Sequence, residues 1–229
     1  QLAGLMAAVC GRLTSPALCK AVEKNLDHIG SVNFESANPL RLLSSLRKLI
    51  RQIRERKINI LAAHRSQDVL FAFFAKRRAQ NSAKLVRYVS DVRPPKDHAL
   101  NRYIHKKGVD YLVFSCEAIR QKYIEVWPFV AEKSRVIYSA VDTDYFMPDH
   151  SSGLKEELHI PQDSVVISMI ARLSPVKNHE AFILSAGKVI AKHPNCIFII
   201  SGEDFEIDMN HLRDECSRYD LEEHFRFIG

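Results

Sequence analysis

The chain has no run of the roughly 18 to 20 apolar residues that a membrane-spanning helix requires, although 46% of its 229 residues are hydrophobic. Gln1 to Val9 lack a basic start and their apolar stretch is short, so they do not read as a secretory leader. Its five cysteines, Cys10, Cys19, Cys116, Cys196 and Cys216, are odd in number, scattered, and form no C-x-x-C pair. That pattern argues against a disulfide framework or a thiolate zinc site and predicts reduced, mostly buried thiols in a cytoplasmic protein. There is no D-x-D motif and no His/Asp cluster, so no metal site and no cofactor are expected. Zinc-finger, RNA-recognition and helix-turn-helix signatures are absent, which speaks against a nucleic-acid partner. There is also no internal repeat and no low-complexity tract.

Charge is present but divided unevenly. Residues 1–110 hold 21 Lys and Arg against 8 Asp and Glu, and residues 111–229 hold 12 against 19. The basic first half is expected to face something anionic, either a membrane surface or a phosphorylated acceptor.

Along the chain, apolar runs alternate with helical periodicity. Strands are expected at Leu5–Val9, Ile29–Asn33, Ile58–Ala63, Lys84–Val89, Tyr111–Phe114 and Arg135–Tyr138. Helices are expected over Leu40–Arg56, Val69–Arg78, Ala99–Lys107 (stopped by Gly108) and Glu117–Glu125, the last with Ser115 as its N-cap. In Leu40–Arg56 the residues Leu42, Leu43, Leu46, Leu49, Ile50 and Ile53 recur at helical spacing. Arg47, Lys48, Arg51 and Arg54 give the helix a basic exposed side, either solvated or resting on anionic lipid. Pro148 to Asp163 reads as a linker with a short helix near Leu154–Leu158. A second alternating series starts at Val165 and ends in a strand at Phe225–Ile228. Strands alternating with helices predict α/β architecture with parallel sheets covered on both faces.

The most informative segment is Ala171-Arg-Leu-Ser-Pro-Val-Lys-Asn178, which joins the apolar run Val165–Ile170 to a helical stretch from His179 to Lys192. Arg172 and Lys177 place two cations on a loop at a helix N-terminus, with Asn178 positioned to cap that helix. Free N–H groups, the helix dipole and two cations together suit a phosphate. A solvated basic turn would look the same from these residues alone.

Upstream lies Val136-Ile-Tyr-Ser-Ala-Val-Asp-Thr-Asp-Tyr-Phe-Met-Pro148, and downstream Ile197-Phe-Ile-Ile-Ser-Gly-Glu203. In order and spacing these segments resemble retaining glycosyltransferases of family 4, which have the GT-B fold. Val141, Asp142, Phe146 and Pro148 match that family's interdomain turn, and Arg172, Leu173 and Lys177 match its G-R-L-x-x-x-K-G loop. Ala140, Ala171 and Asn178 stand where the family has glycine; asparagine tolerates a left-handed backbone and alanine does so poorly.

His64-Arg-Ser-Gln-Asp68 and Arg87-Tyr-Val-Ser-Asp-Val-Arg-Pro94 are similar to two motifs of the members that act in lipopolysaccharide and other cell-surface glycan pathways. The first matches throughout. In the second, Ser90 replaces the histidine that such members place near the reacting sugar.

The resemblance implies two Rossmann-like, doubly wound domains, both incomplete: residues 1–148 on the acceptor side, a linker 149–163, and 164–229 for the nucleotide sugar. It implies a nucleotide-sugar donor whose diphosphate is held by Arg172 and Lys177, with Gly202 and Glu203 near the nucleotide. His64, Ser90 and Asp91 would stand at the reacting centre, and Arg65, Arg87 and Arg93 would grip an acceptor phosphate. From the residues alone, His64 could equally be a buried imidazole at a strand end, Asp68 and Asp91 could be caps, and each arginine could be solvated surface. The acceptor would be a cell-surface glycan or lipid-linked molecule, placing the protein in the cytoplasm or at the inner face of the plasma membrane. The family's first strand with its Gly-rich loop and its E-x7-E stretch have no counterpart, so the chain is expected to be an internal portion, inactive alone. Two other readings are a non-catalytic nucleotide-sugar-binding remnant and a GT-B sugar-nucleotide epimerase.

Overall fold

A computed structural model describes residues 8–10, 15–30, 32–80, 82–147 and 153–229. The chain forms two compact units, Gln1–Val141 and Asp142–Gly229.

The first unit opens with strand β1 (Val9–Cys10), helix α1 (Pro16–Glu23) and strand β2 (His28–Ile29), the two strands pairing in parallel. Leu5 to Ala7, expected to begin the first strand, lie outside the described residues. Next come α2 (Pro39–Glu55), β3 (Ile60–Ala63), α3 (Ser66–Ala79), β4 (Lys84–Val89), α4 (Ala99–Tyr103), β5 (Tyr111–Phe114), α5 (Glu117–Val126) and β6 (Ser134–Val136). The strands β3-β4-β5-β6 form one parallel sheet in sequence order. Its core gathers Leu85, Leu112 and Phe114 from the strands, Phe73 from α3, and Tyr123 and Trp127 from α5 and the turn after it.

Local chemistry explains most of the boundaries. Asn38 caps α2 by accepting from the Leu40 N–H at 2.9 Å, and Pro39 at the first helical position gives up no needed donor. The expected helix Ala99–Lys107 is only partly α-helical, because Ile104–Gly108 winds as a π-turn. Gly108 packs so closely on the Phe73 ring that a Cβ there would overlap it. At α5 the N-cap is Cys116 rather than Ser115, and no side chain caps that helix. The buried flank of α2 (Leu49, Ile53) packs on Ala75 and Ala79 of α3.

The basic side of α2 is narrower than its sequence suggests. Lys48 donates to the Gly30 carbonyl at 2.6 Å, and Arg54 donates to the carbonyls of Arg78 and Ala79 at the end of α3. Arg41, Arg47 and Arg51 remain exposed beside the exposed Leu40 and Leu43.

The second unit contains α6 (Leu154–Glu157), β7 (Val165–Ile170), α7 (His179–Ile190), β8 (Cys196–Ser201), α8 (Met209–Arg218) and β9 (Phe225–Ile228). Its sheet is parallel, in the order β7-β8-β9. The central strand β8 is buried from Cys196 to Ile200, as a strand covered on both faces should be.

Residues 153–163, expected as linker, carry the expected short helix but are packed onto this sheet. Ile160 is buried against Ile197 and Ile199, and Arg226 donates to the Leu158 carbonyl at 3.1 Å. The cysteines also differ from expectation: Cys196 and Cys216 are buried, Cys116 is half-buried, and Cys10 and Cys19 are exposed.

Candidate functional site

In parallel α/β sheets, ligands bind where loops leave the carboxyl ends of the strands. In the second unit two such loops are stitched together. The segment leaving β7 lies beside the segment leaving β8: Ala171 N–H donates to the Ser201 carbonyl at 2.9 Å and Leu173 N–H to the Glu203 carbonyl at 3.1 Å. In return the Leu173 carbonyl accepts from the N–H groups of Glu206 and Ile207. Leu173 is itself fully buried and anchors the loop to the core.

A short 3-10 turn, Pro175–Lys177, then delivers the chain into α7. Asn178 takes a left-handed backbone (φ 57°, ψ 50°), which asparagine accepts and which explains its presence where resembling proteins carry glycine. Its side chain makes no cap hydrogen bond, contrary to expectation. Neither Ala140 nor Ala171 is among the residues with positive φ, so alanine at those positions is unstrained.

Gly202 serves a close approach, but to protein. A Cβ at this position would collide with the Ala171 carbonyl oxygen, so glycine is what lets the two loops lie together. Glu203 is exposed beside it.

Arg172 and Lys177 are both exposed on this loop. The Arg172 guanidinium carbon lies 4.1 Å from the centre of the Phe205 ring, in cation–π contact. Among the described residues no carboxylate pairs with either cation; in this unit Glu180 instead contacts the His211 ring and Glu215 pairs with Arg218. Asp204 and Asp208 are occupied at the start of α8, accepting from the Met209 N–H at 3.0 Å and the Asn210 N–H at 2.7 Å.

Beneath the loop, Ser174 and His179 are buried; among the described residues the Ser174 hydroxyl has no hydrogen-bond partner, and the His179 ring faces the Ala171 backbone carbonyl without a well-formed hydrogen bond. Burial pushes the His179 pKa down; the facing Ala171 carbonyl opposes that shift and the Lys177 charge adds to it. The ring is therefore neutral near pH 7.

In the first unit, His64 follows β3 and Ser90 and Asp91 follow β4, leaving the same edge of the sheet. His64 is exposed rather than buried, with its ring centre 5.3 Å from that of Tyr88. Ser90 is exposed as well. Asp91 is gripped by its neighbour: Arg93 Nε donates to its two carboxylate oxygens at 3.0 and 2.9 Å, and the Arg93 N–H donates to Oδ1 at 3.0 Å. These contacts hold the Asp91 pKa down to about 2, so it is a carboxylate throughout the neutral range. Arg65 pairs with Glu35, and Asp68 accepts from the Arg65 N–H at 3.0 Å, capping α3.

Arg87 departs from its expected acceptor role. Burial alternates along β4, so Leu85, Arg87 and Val89 point inward together. The Arg87 guanidinium donates to His105 Nε2, to the Tyr123 hydroxyl at 3.3 Å and to Ser66 Oγ at 3.4 Å, while its Nε has no partner among the described residues. It is an interior cation with neutral partners. Pro148, the last residue of the interdomain-turn motif, lies outside the described residues.

Sequence reasoning missed Phe205, Ser174, His179 and His105. The period-two burial of β4 could have revealed Arg87 as interior, whereas no spacing marks Phe205 as the partner of Arg172.

Among solved structures, the chain is similar to Anabaena Alr3699/HepE in complex with UDP and glucose, at TM-score 0.76 and 19% identity, covering 97% of this chain and 61% of that one. It is also similar to a glycosyltransferase from Rickettsia africae, at TM-score 0.79 and 16% identity, covering 97% of this chain and 59% of that one. These likenesses establish the fold, an α/β architecture of the GT-B type with parallel sheets. Among curated proteins, YtcC of Bacillus subtilis, provisionally named a glycosyltransferase, is 29% identical over 101 residues, which cover 42% of this chain and 25% of that one. The chain thus matches a quarter of the length of that relative and about three fifths of the structural neighbours. The model of Glycosyltransferase Family 4 matches residues 8–145, more than half of the sequence, and the chain belongs to that family.

Proposed function

We propose that the complete protein transfers a sugar, with retention, from a nucleotide-sugar donor to a glycan or lipid-linked acceptor of the cell surface. The observation that carries this reading is the loop after β7: Arg172 and Lys177 are two exposed cations, at the entrance to α7, that no carboxylate of the described residues neutralises. A diphosphate would supply the missing charge, and the amino end of a 12-residue helix adds N–H groups to it. The Anabaena neighbour was solved with UDP and with glucose, in keeping with such a donor.

In the transfer itself, the acceptor oxygen forms a bond to the anomeric carbon as the bond from that carbon to the diphosphate breaks. The departing phosphate oxygen takes the acceptor proton on the same face. Arg172 and Lys177 neutralise the charge that grows on the leaving group, and each such preorganised contact is worth about 2.7–4 kcal/mol. On the acceptor side, His64 and Ser90 are exposed polar groups just past the carboxyl ends of β3 and β4, whereas Asp91 works paired with Arg93. Arg41, Arg47 and Arg51, with Leu40 and Leu43, form an exposed basic and apolar stripe that suits an anionic membrane carrying a lipid-linked acceptor.

The test is incubation of the complete protein with nucleotide sugars, with and without a lipid-linked acceptor, followed by NMR of the anomeric proton. Acceptor-dependent product with the donor's anomeric configuration supports the reading. Interconversion of donor without acceptor would replace it with an epimerase, and donor binding without turnover would leave a binding remnant.

A further inference from the structure

We propose that Phe205 is a positioning residue of the anion site, holding the Arg172 guanidinium ready for the diphosphate; the inference rests on the donor reading above. An arginine on an exposed loop ordinarily samples many rotamers, and ordering it on binding costs affinity. Among the described residues no carboxylate holds Arg172, yet it is not unsupported. Its guanidinium stacks on Phe205 at 4.1 Å, well inside the range in which a ring face attracts a cation.

The backbone makes this contact a property of the fold. Hydrogen bonds from Leu173 to Glu203, and from Glu206 and Ile207 back to Leu173, flank the two side chains on adjoining segments. Gly202 allows that approach.

Glu203, Asp204, Glu206 and Asp208 crowd the segment that carries Phe205. Any one of them, if paired with Arg172, would compete with an incoming phosphate. Asp204 and Asp208 are instead committed to backbone N–H groups of α8. An aromatic ring orients the cation without neutralising it, leaving its charge and edge N–H donors for a ligand. The ring itself is 59% exposed, so the guanidinium stacked on it stays open to a ligand.

The experiment uses the complete protein and calorimetric titration with UDP, GDP and ADP, taking the tightest of the three as probe. Phe205→Leu is expected to weaken binding roughly two- to five-fold, the strength of an exposed cation–π contact. Phe205→Tyr, which keeps the ring face, is expected to restore wild-type affinity. In an Arg172→Ala background, Phe205→Leu should change nothing further. Full affinity in Phe205→Leu, or the same loss with and without Arg172, would overturn the inference while leaving the donor reading intact. Wild-type affinity in Arg172→Ala, or no binding of any of the three diphosphates, would sink the donor reading and this inference with it.

Discussion

Arg87 and His105 meet inside the first unit, with a guanidinium N–H donating to His105 Nε2. Because arginine can only donate, His105 Nε2 must accept. The ring proton therefore sits on Nδ1, which donates to the Asn101 carbonyl at 2.7 Å. Burial, reinforced by the Arg87 charge, pushes the His105 pKa down from 6.5 to about 4. The buried arginine thus depends on a neutral histidine.

This pairing sets a pH dependence of stability. The folded pKa lies below the unfolded one, so the unfolded chain takes up the proton first as pH falls. The stabilisation is complete above about pH 6.5 and is lost progressively down to about pH 4, a cost on the order of 2–3 kcal/mol. Urea denaturation of wild type and His105→Gln between about pH 7 and about pH 4.5 checks this. The variant should show a flatter profile; equal slopes would contradict a His105 held neutral by the fold.

Gly202→Ala is expected to force the loops after β7 and β8 apart, because its Cβ cannot coexist with the Ala171 carbonyl. Overpacking of this kind costs about 1–3 kcal/mol. The melting temperature should fall, and binding of nucleoside diphosphate should fall with it. Unchanged binding would mean that the approach of the two loops does not shape the anion site.

The exposed stripe of α2 predicts attachment to anionic lipid. Charge reversal at Arg47 and Arg51 should weaken co-sedimentation with phosphatidylglycerol vesicles by roughly 1 kcal/mol per arginine, or more, in a salt-sensitive way. Vesicles of phosphatidylcholine alone should bind neither form. Equal binding of wild type and variant to anionic vesicles would remove α2 from the account of acceptor access.

Much of this architecture was legible because it rests on local chemistry. The bounds of β4, β5, β7 and β9 follow from short apolar runs, and α2 begins where Asn38 and Pro39 place a cap and a first turn. Other features depended on residues distant in sequence. The π-turn Ile104–Gly108 goes with the packing of Gly108 on Phe73, which helical periodicity does not encode. Arg172 and Lys177 were readable from their loop, but the partner of Arg172 arrives from the next strand's exit. Arg87 was misplaced because its basic character outweighed the alternation that buries Leu85, Arg87 and Val89 together. The expected linker misled for a similar reason: its polar composition hid Ile160, which anchors it to β8.

The central claim is that the loop after β7 stabilises a departing diphosphate, and Lys177→Ala in the complete protein tests it most directly. Lys177 is exposed and has no structural partner among the described residues, so its removal should leave folding intact. Turnover of nucleotide sugar onto acceptor should fall about 10²- to 10³-fold, the effect of losing one preorganised donor to developing charge. A variant that folds and transfers sugar at near the wild-type rate would contradict the account.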